Sequence, residues 1–463
     1  MKLTLGRRFF LHLTMTLHQK KGQNTTRLIV LGFLGIILAG ALLLMLPISA
    51  KSGETTNFLT ALFTATSATC VTGLVVVDTD TYWTVFGQTV ILLLIQIGGL
   101  GFMSIVSLFF FAMRRQIGLR QRLAMAQSLS LNELTGVVRI MKHILVGTFL
   151  FELIGAVIFS ICFVPDFGLG GGIWRGVFHS ISAFCNAGFD LMGSRGAYTG
   201  FIWYSGNPAV CITAMCLIVI GGLGFFVWED VYRARKLRNL HVYTKLVLVT
   251  TAVLILAGAL CIFLLESDNS ATMADMPVWQ KIMASFFQSI TSRTAGFNTI
   301  DENGMAEASK IVTMILMFIG GSSGSTAGGI KTVTMCVLLL TVISTLKGKG
   351  QITVFERTIS PSKALSAITI AFLALSLCLV GALFLSTGEN VSFTKAIFES
   401  VSAFCTVGLT TGITPTLGAV SRIVLIGLMY LGRVGVTTFG IALMMRTSYP
   451  AKIKYPQCDV LIG

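Results

Sequence analysis

Of the 463 residues, 54% are hydrophobic and only 11% carry a formal charge, less than half the roughly 25% typical of a soluble domain. A water-soluble enzyme or binding module is excluded, and apolar runs far longer than the roughly 9–11 residues of a barrel strand leave an all-α membrane protein. The net charge of +15 does not mark a nucleic-acid binder, because 24 of the 34 Lys and Arg lie at the N-terminus, in 114–142, 233–245 and 347–363, and in the tail from Arg446 onward.

Residues 1–27 form a basic leader with no long apolar core and no small-residue cleavage site, so no cleaved signal peptide is predicted. Residues 28–113 form a first module. It has an apolar helix at 28–48, an apolar segment at 57–68 too short to span, the loop SATCVTGL and a second helix at 84–113. The linker 114–141 is basic and partly amphipathic, open to two readings: an interfacial helix on anionic lipid, or a docking surface for a cytosolic subunit. The second module, 142–235, repeats the order with helices at 142–164 and 208–232 around 172–183 and SAFCNAGF. The third, 236–346, has helices at 246–266 and 309–346 around 278–290 and SRTAGF. The fourth, 347–446, has helices at 364–387 and 419–445 around 393–404 and SAFCTVGL. A tail, 447–463, follows. Basic connections alternate with connections holding Asp78, Asp80, Asp190, Asp268, Asp301 and Glu302. This positive-inside pattern puts both termini in the cytoplasm.

The architecture predicted is therefore eight transmembrane helices in four tandem repeats of helix, short pore helix and helix (M1-P-M2). The loop glycines Gly73, Gly188, Gly296 and Gly408 recur at intervals of 115, 108 and 112 residues, and each second helix carries a related text: QIGGLGF, VIGGLGF, FIGGSSG or YLGRVG. Four parallel units in one chain imply pseudo-fourfold packing around one pore. Unpaired carbonyls at membrane depth are tolerated only against protein or a water-filled cavity. Four re-entrant loops can satisfy this by aiming their carbonyls at a dehydrated cation, with glycine permitting the backbone. The C-terminal ends of the short helices add partial negative charge at the same place.

The segment GGSSGSTAGGIKT, 320–332, is too rich in glycine and serine for a regular helix and predicts an unwound stretch at mid-membrane. Arg433, a charge within an apolar helix, costs about 2.5–3.5 kcal/mol in lipid even on a lenient scale and must face the protein interior. Lys331 has two open readings, interior or snorkelling to the cytoplasmic edge. The near match to a phosphate-binding loop is spoiled by Ile330 between Gly329 and Lys331. GGSSG fits GxSxG, yet no strand-turn-helix context accompanies Ser322, and His179 reads as a pore-helix residue satisfied locally. No enzyme is predicted. Ten cysteines lie mostly in apolar stretches without a metal-type CxxC pair and read as small packing residues.

ATSATCVTGL, FHSISAFCNAGF, FFQSITSRTAGFN, GGSSGSTAGGIKT, ESVSAFCTVGLTTG and LGRVG, in that order and spacing, make the chain resemble the Ktr/Trk/HKT superfamily of potassium transporters, the bacterial Ktr membrane subunit in particular. The resemblance implies a selectivity filter for K+ at Cys70-Val71-Thr72-Gly73, Cys185-Asn186-Ala187-Gly188, Thr294-Ala295-Gly296 and Cys405-Thr406-Val407-Gly408. Arg293 takes the place of the third cysteine and is expected to point away from the ion. Glycine at position 73, where sodium-admitting relatives carry serine, implies potassium preference. It also implies a gate built from Gly320, Gly321, Ser322, Ser323, Gly324, Ser325, Thr326, Ala327, Gly328 and Gly329, with Lys331 and with Arg433 facing it. Partners implied are a second copy, a homodimer with the C-terminal tail at its interface, and an octameric ring of cytosolic RCK-type subunits. Any nucleotide would bind there, since this chain has no Rossmann fingerprint and needs no organic cofactor. The alternative function is a sodium- or proton-coupled potassium symporter, for which Glu152 and Glu399 are the intramembrane carboxylates.

Overall fold

The computed structural model describes residues 30–101, 137–348 and 350–435. The expectations for the leader, for 114–136 of the linker and for the tail lie outside the described residues. Among the described residues the regular structure is helical apart from one small hairpin. In order, the helices are α1 (Val30–Leu44), α2 (Phe58–Cys70), α3 (Val85–Leu100), α4 (Val137–Phe184), α5 (Pro208–Leu223) and α6 (Phe225–Ala234). They continue as α7 (Val242–Glu266), α8 (Val278–Thr291), α9 (Glu307–Phe318), α10 (Thr332–Leu346), α11 (Pro361–Glu389), α12 (Phe393–Phe404) and α13 (Ala419–Val434).

Local chemistry explains where they start. Asn57, Asn207 and Ser392 accept from the first free N–H groups of α2, α5 and α12, and Pro208 suits the first turn of α5 because it has no N–H to leave unpaired. α4 runs 48 residues, but Gly168 at φ +73° breaks it into a long first arm and a short second arm that leads into the second glycine loop. Among the described residues, α4, α7 and α11 are long and apolar enough to cross a membrane.

The second helices are not continuous: 309–346 breaks at the glycine-serine segment, as the sequence predicts, whereas the breaks within 84–113, 208–232 and 419–445 were not expected. α3 stops at Gly101 (φ +81°), α5 at Gly224 (φ +95°) and α13 at Gly435 (φ +88°). α9 stops before the glycine-serine segment. A left-handed glycine ends the ladder without a Cβ penalty, and across Gly224 the axis turns by 91° into α6. The exception to the helices is a hairpin of β1 (Ile352–Val354) and β2 (Arg357–Ile359), paired Val354 to Arg357. Its two-residue turn places Phe355 and Glu356 at φ 45° and 62°, the signs of a type I′ turn.

Within each module a glycine on the first helix faces a leucine on the second: Gly40 with Leu94, Gly155 with Leu217, Gly258 with Leu316 and Gly381 with Leu428. A Cβ on any of these would lie 2.6, 2.6, 2.8 or 2.7 Å from the leucine Cδ1, so the helices meet at the closest approach that small residues allow. Between modules, α3 packs on α4, α5 on α8, α9 on α12, and α13 returns to α2. The circle closes.

Candidate ion pathway

All four loops share one backbone. Two residues before each loop glycine, Val71, Asn186, Thr294 and Thr406 are left-handed at φ 58°, 58°, 80° and 51°. The glycines themselves stand at φ 91°, 68°, 81° and 93°. The intervening N–H folds back onto the preceding short helix: Thr72 to Ser67 O and Ala187 to Ser182 O at 2.8 Å, Ala295 to Thr291 O and Val407 to Ser402 O at 2.9 Å. Donors are thereby turned away from the centre and carbonyls are left for it.

The glycines form a closed ring. A Cβ on Gly73 would meet the Ala187 carbonyl at 2.5 Å, and one on Gly188 the Ala295 carbonyl at 2.6 Å. A Cβ on Gly296 would strike the Val407 carbonyl, and one on Gly408 the Thr72 carbonyl. Each glycine thus abuts the carbonyl before the next glycine, and the fourth returns to the first. The C-terminal ends of α2, α4, α8 and α12 lead into this ring. Each brings about half an elementary negative charge, roughly two in all.

The cysteines sit behind the ring. Cys70, Cys185 and Cys405 are buried. Cys185 Sγ lies 3.7 Å from Gln96 Oε1, and Gln96 donates to both oxygens of Glu152 at 2.9 and 3.1 Å. Glu152 is therefore a buried tie between α3 and α4. Arg293 reaches down, donating to Gly320 O at 3.4 Å and to Thr332 Oγ1 at 3.2 Å.

Below the ring, 319–331 forms an unwound loop whose neck is a bridge between Ile319 and Ile330. Ser322 N donates to Gly222 O at 3.0 Å and Thr326 N to Gly221 O at 3.3 Å. Thr326 Oγ1 donates to Phe184 O at 3.2 Å. Gly328 lies against Thr406 and Gly329 against Cys405, leaving no room for a side chain. Ser325 Oγ closes a turn onto Ser322 O at 2.7 Å. Lys331 Nζ donates to Ala327 O at 2.7 Å, so it is turned to the interior. The Arg433 guanidinium donates to Thr326 O with one arm and to Gly98 O with the other. One side chain from the fourth module joins the third module's loop to the first module's second helix.

Three contacts here had no counterpart in the sequence reading. Phe225 N, at the start of α6, donates to Gly324 O at 2.8 Å. Tyr243 OH donates to Ser323 O at 3.0 Å. Gly224 lies against the Ser323 carbonyl, where a Cβ would stand 3.0 Å away. The repeated GGLG text was the available signal for a helix break at this level.

The TrkH family, described as a cation transport protein, matches residues 18–450. The chain belongs to the TrkH cation transport family. It is 41% identical over 449 residues to the potassium/sodium uptake protein NtpJ of Enterococcus hirae, covering 96% of this chain and 98% of that one. It is 40% identical over 437 residues to the Ktr system potassium uptake protein B of Bacillus subtilis, covering 94% and 96%. The crystal structure of the potassium transporter TrkH from Vibrio parahaemolyticus superposes with a TM-score of 0.73 over 91% of this chain and 85% of that one, at 18% identity. That last likeness speaks to the fold alone; the family match and the two relatives make the chain a membrane-embedded helical cation transporter.

Proposed function

We propose that this chain is the ion-translocating subunit of a Ktr-type complex, carrying potassium through one channel-like pore per chain. Eight crossings in four M1-P-M2 modules surround the pore. The residues around Gly73, Gly188, Gly296 and Gly408 are the selectivity filter. The observation that carries this reading is the closed ring in which each loop glycine abuts the next loop's carbonyl. Backbone oxygens of Thr72, Ala187, Ala295 and Val407, backed by four helix C-termini, replace the water shell of a monovalent cation.

The loop 320–331 is the gate. It lies under the ring and carries Lys331, with Arg293 and Arg433 against it. Three cations below a cation site form an electrostatic barrier while the loop is in place. Removing Arg433 from its carbonyl acceptors, Thr326 O, Gly98 O and Gly99 O, releases the loop. The complex is a homodimer on an RCK-type cytosolic ring in the plasma membrane, with both termini inside and anionic lipid against the basic connections. Support for a partner subunit is the name of the Bacillus subtilis relative, which belongs to a Ktr system.

The test is potassium flux into proteoliposomes under a potassium gradient alone, with sodium and pH held equal on both sides. Flux is expected. A requirement for a second ion's gradient favours the coupled symporter instead, a reading to which the name of the Enterococcus hirae relative, potassium/sodium uptake protein, lends weight.

A further inference from the structure

Three pore helices carry a polar residue at one shared rung. In α4, α8 and α12 a serine ties the pore helix to its module's first helix: Ser180 Oγ donates to Glu152 O at 2.6 Å, Ser289 Oγ to Ile255 O at 2.9 Å, and Ser400 Oγ to Cys378 O at 2.7 Å. The residue just before each is His179, Gln288 or Glu399. All three are fully buried, and they differ in chemistry, yet each grips the chain that returns outward beyond its loop glycine.

His179 Nδ1 lies 2.8 Å from Arg175 O, and a carbonyl can only accept, so Nδ1 carries the proton. Nε2 is then the acceptor for Leu191 N–H at 3.2 Å. Glu399 Oε1 accepts Thr411 N–H at 3.1 Å and the Thr410 hydroxyl. Leu191 and Thr411 occupy the same place, the third residue beyond Gly188 and Gly408. Glu399 Oε2 accepts from Thr414 Oγ1 at 2.9 Å, and Gln288 Nε2 donates to Glu302 Oε1 at 2.7 Å. Thr414 and Glu302 again share a place, the sixth residue beyond Gly408 and Gly296. In the first module Thr64 and Ala65 stand at this rung, and the Thr64 hydroxyl turns back to Thr60 O of its own helix at 3.0 Å.

Resting on the filter reading above, we propose that His179, Gln288 and Glu399 are positioning residues for ion selectivity. They clamp the outer arms of loops two, three and four and so hold the Ala187, Ala295 and Val407 carbonyls at one aperture. The first loop takes no such clamp from its own short helix; its outer arm is held instead by Asp78, which accepts from Tyr198 N–H, and by Asp80, which accepts from Arg175. Glu399 dominates, because it alone gathers three donors, the Thr411 N–H and the Thr410 and Thr414 hydroxyls.

Glu399→Gln puts an N–H2 among those donors. Its potassium-over-sodium uptake ratio in proteoliposomes is expected to fall about tenfold, equivalent to about 1.4 kcal/mol, with potassium uptake retained. Thr414→Val lowers the ratio in the same direction, Thr414→Ser restores it, and Thr414→Val adds nothing in the Glu399→Gln background. Should Glu399→Gln fail to fold, the Val and Ser variants at 414 decide alone. Wild-type ratios in Glu399→Gln and Thr414→Val, alongside a lowered ratio in Gly73→Ser, overturn the clamp and leave the filter standing. A wild-type ratio in Gly73→Ser as well removes the filter and the clamp together.

Discussion

Gly73 shows how much one hydrogen atom in place of a side chain decides. It stands at φ +91° with the Ala187 carbonyl where a Cβ would go. Any L-residue there bears about 1–2 kcal/mol of left-handed strain and must also push that carbonyl aside. Gly73→Ser is therefore expected to widen one quarter of the ring and admit sodium, read as sodium uptake competing with potassium in proteoliposomes. An unaltered ratio would count against the ring as the selecting element. The spacing of the glycines was legible because it repeats. The left-handed Val71, Thr294 and Thr406 were not, since β-branched residues ordinarily avoid that region and only a packed neighbourhood holds them there; Asn186 is of a type that enters it more readily.

Among elements, the loop 320–331 and the broken second helices belong together. The loop is held by backbone and hydroxyl contacts to Gly221, Gly222, Phe184 and Tyr243, a set of net hydrogen bonds worth about 1 kcal/mol each, which a conformational change can exchange for water. Deleting 322–328 removes most of the proposed gate but none of the ring. Potassium flux is expected to rise with the potassium-over-sodium ratio retained, and a folded, inactive deletion would contradict the gate. Density of glycine and serine made this loop readable in the sequence. The stops at Gly101 and Gly224 were missed because glycine is common in membrane helices and the apolar text continues beyond it. The 352–359 hairpin was missed for another reason: Phe355-Glu356 lacks the glycine that usually announces its turn.

On the scale of the whole molecule, the packing of α13 on α2 closes the four modules into one ring, so strain at one outer connection is shared by all. Glu302, in the connection after the third loop, tests this. Burial, with Asp301 and Glu266 adding like charge, pushes its carboxyl up from the ordinary 4.5 to about 8. Between those two values the folded chain keeps the proton and the unfolded chain releases it, so stability falls as pH rises through that window and levels off above it. The melting temperature is expected to be higher at pH 6 than at pH 8, and Glu302→Gln, which cannot ionise, is expected to flatten that part of the profile. An equal slope in the variant would assign the dependence elsewhere.

The sequence by itself determined the membrane class and the fourfold recurrence of the loop glycine, because apolar length and a repeated glycine are local properties that any window of text displays. Only the tertiary structure decided that the glycines meet in cyclic order, that Arg433 spans three modules, and that His179, Gln288 and Glu399 grip equivalent places beyond their loops. Those are relations between groups far apart in the chain. Hydrogen-bond geometry and the space left by missing side chains settle them, and neither quantity exists until the modules have packed.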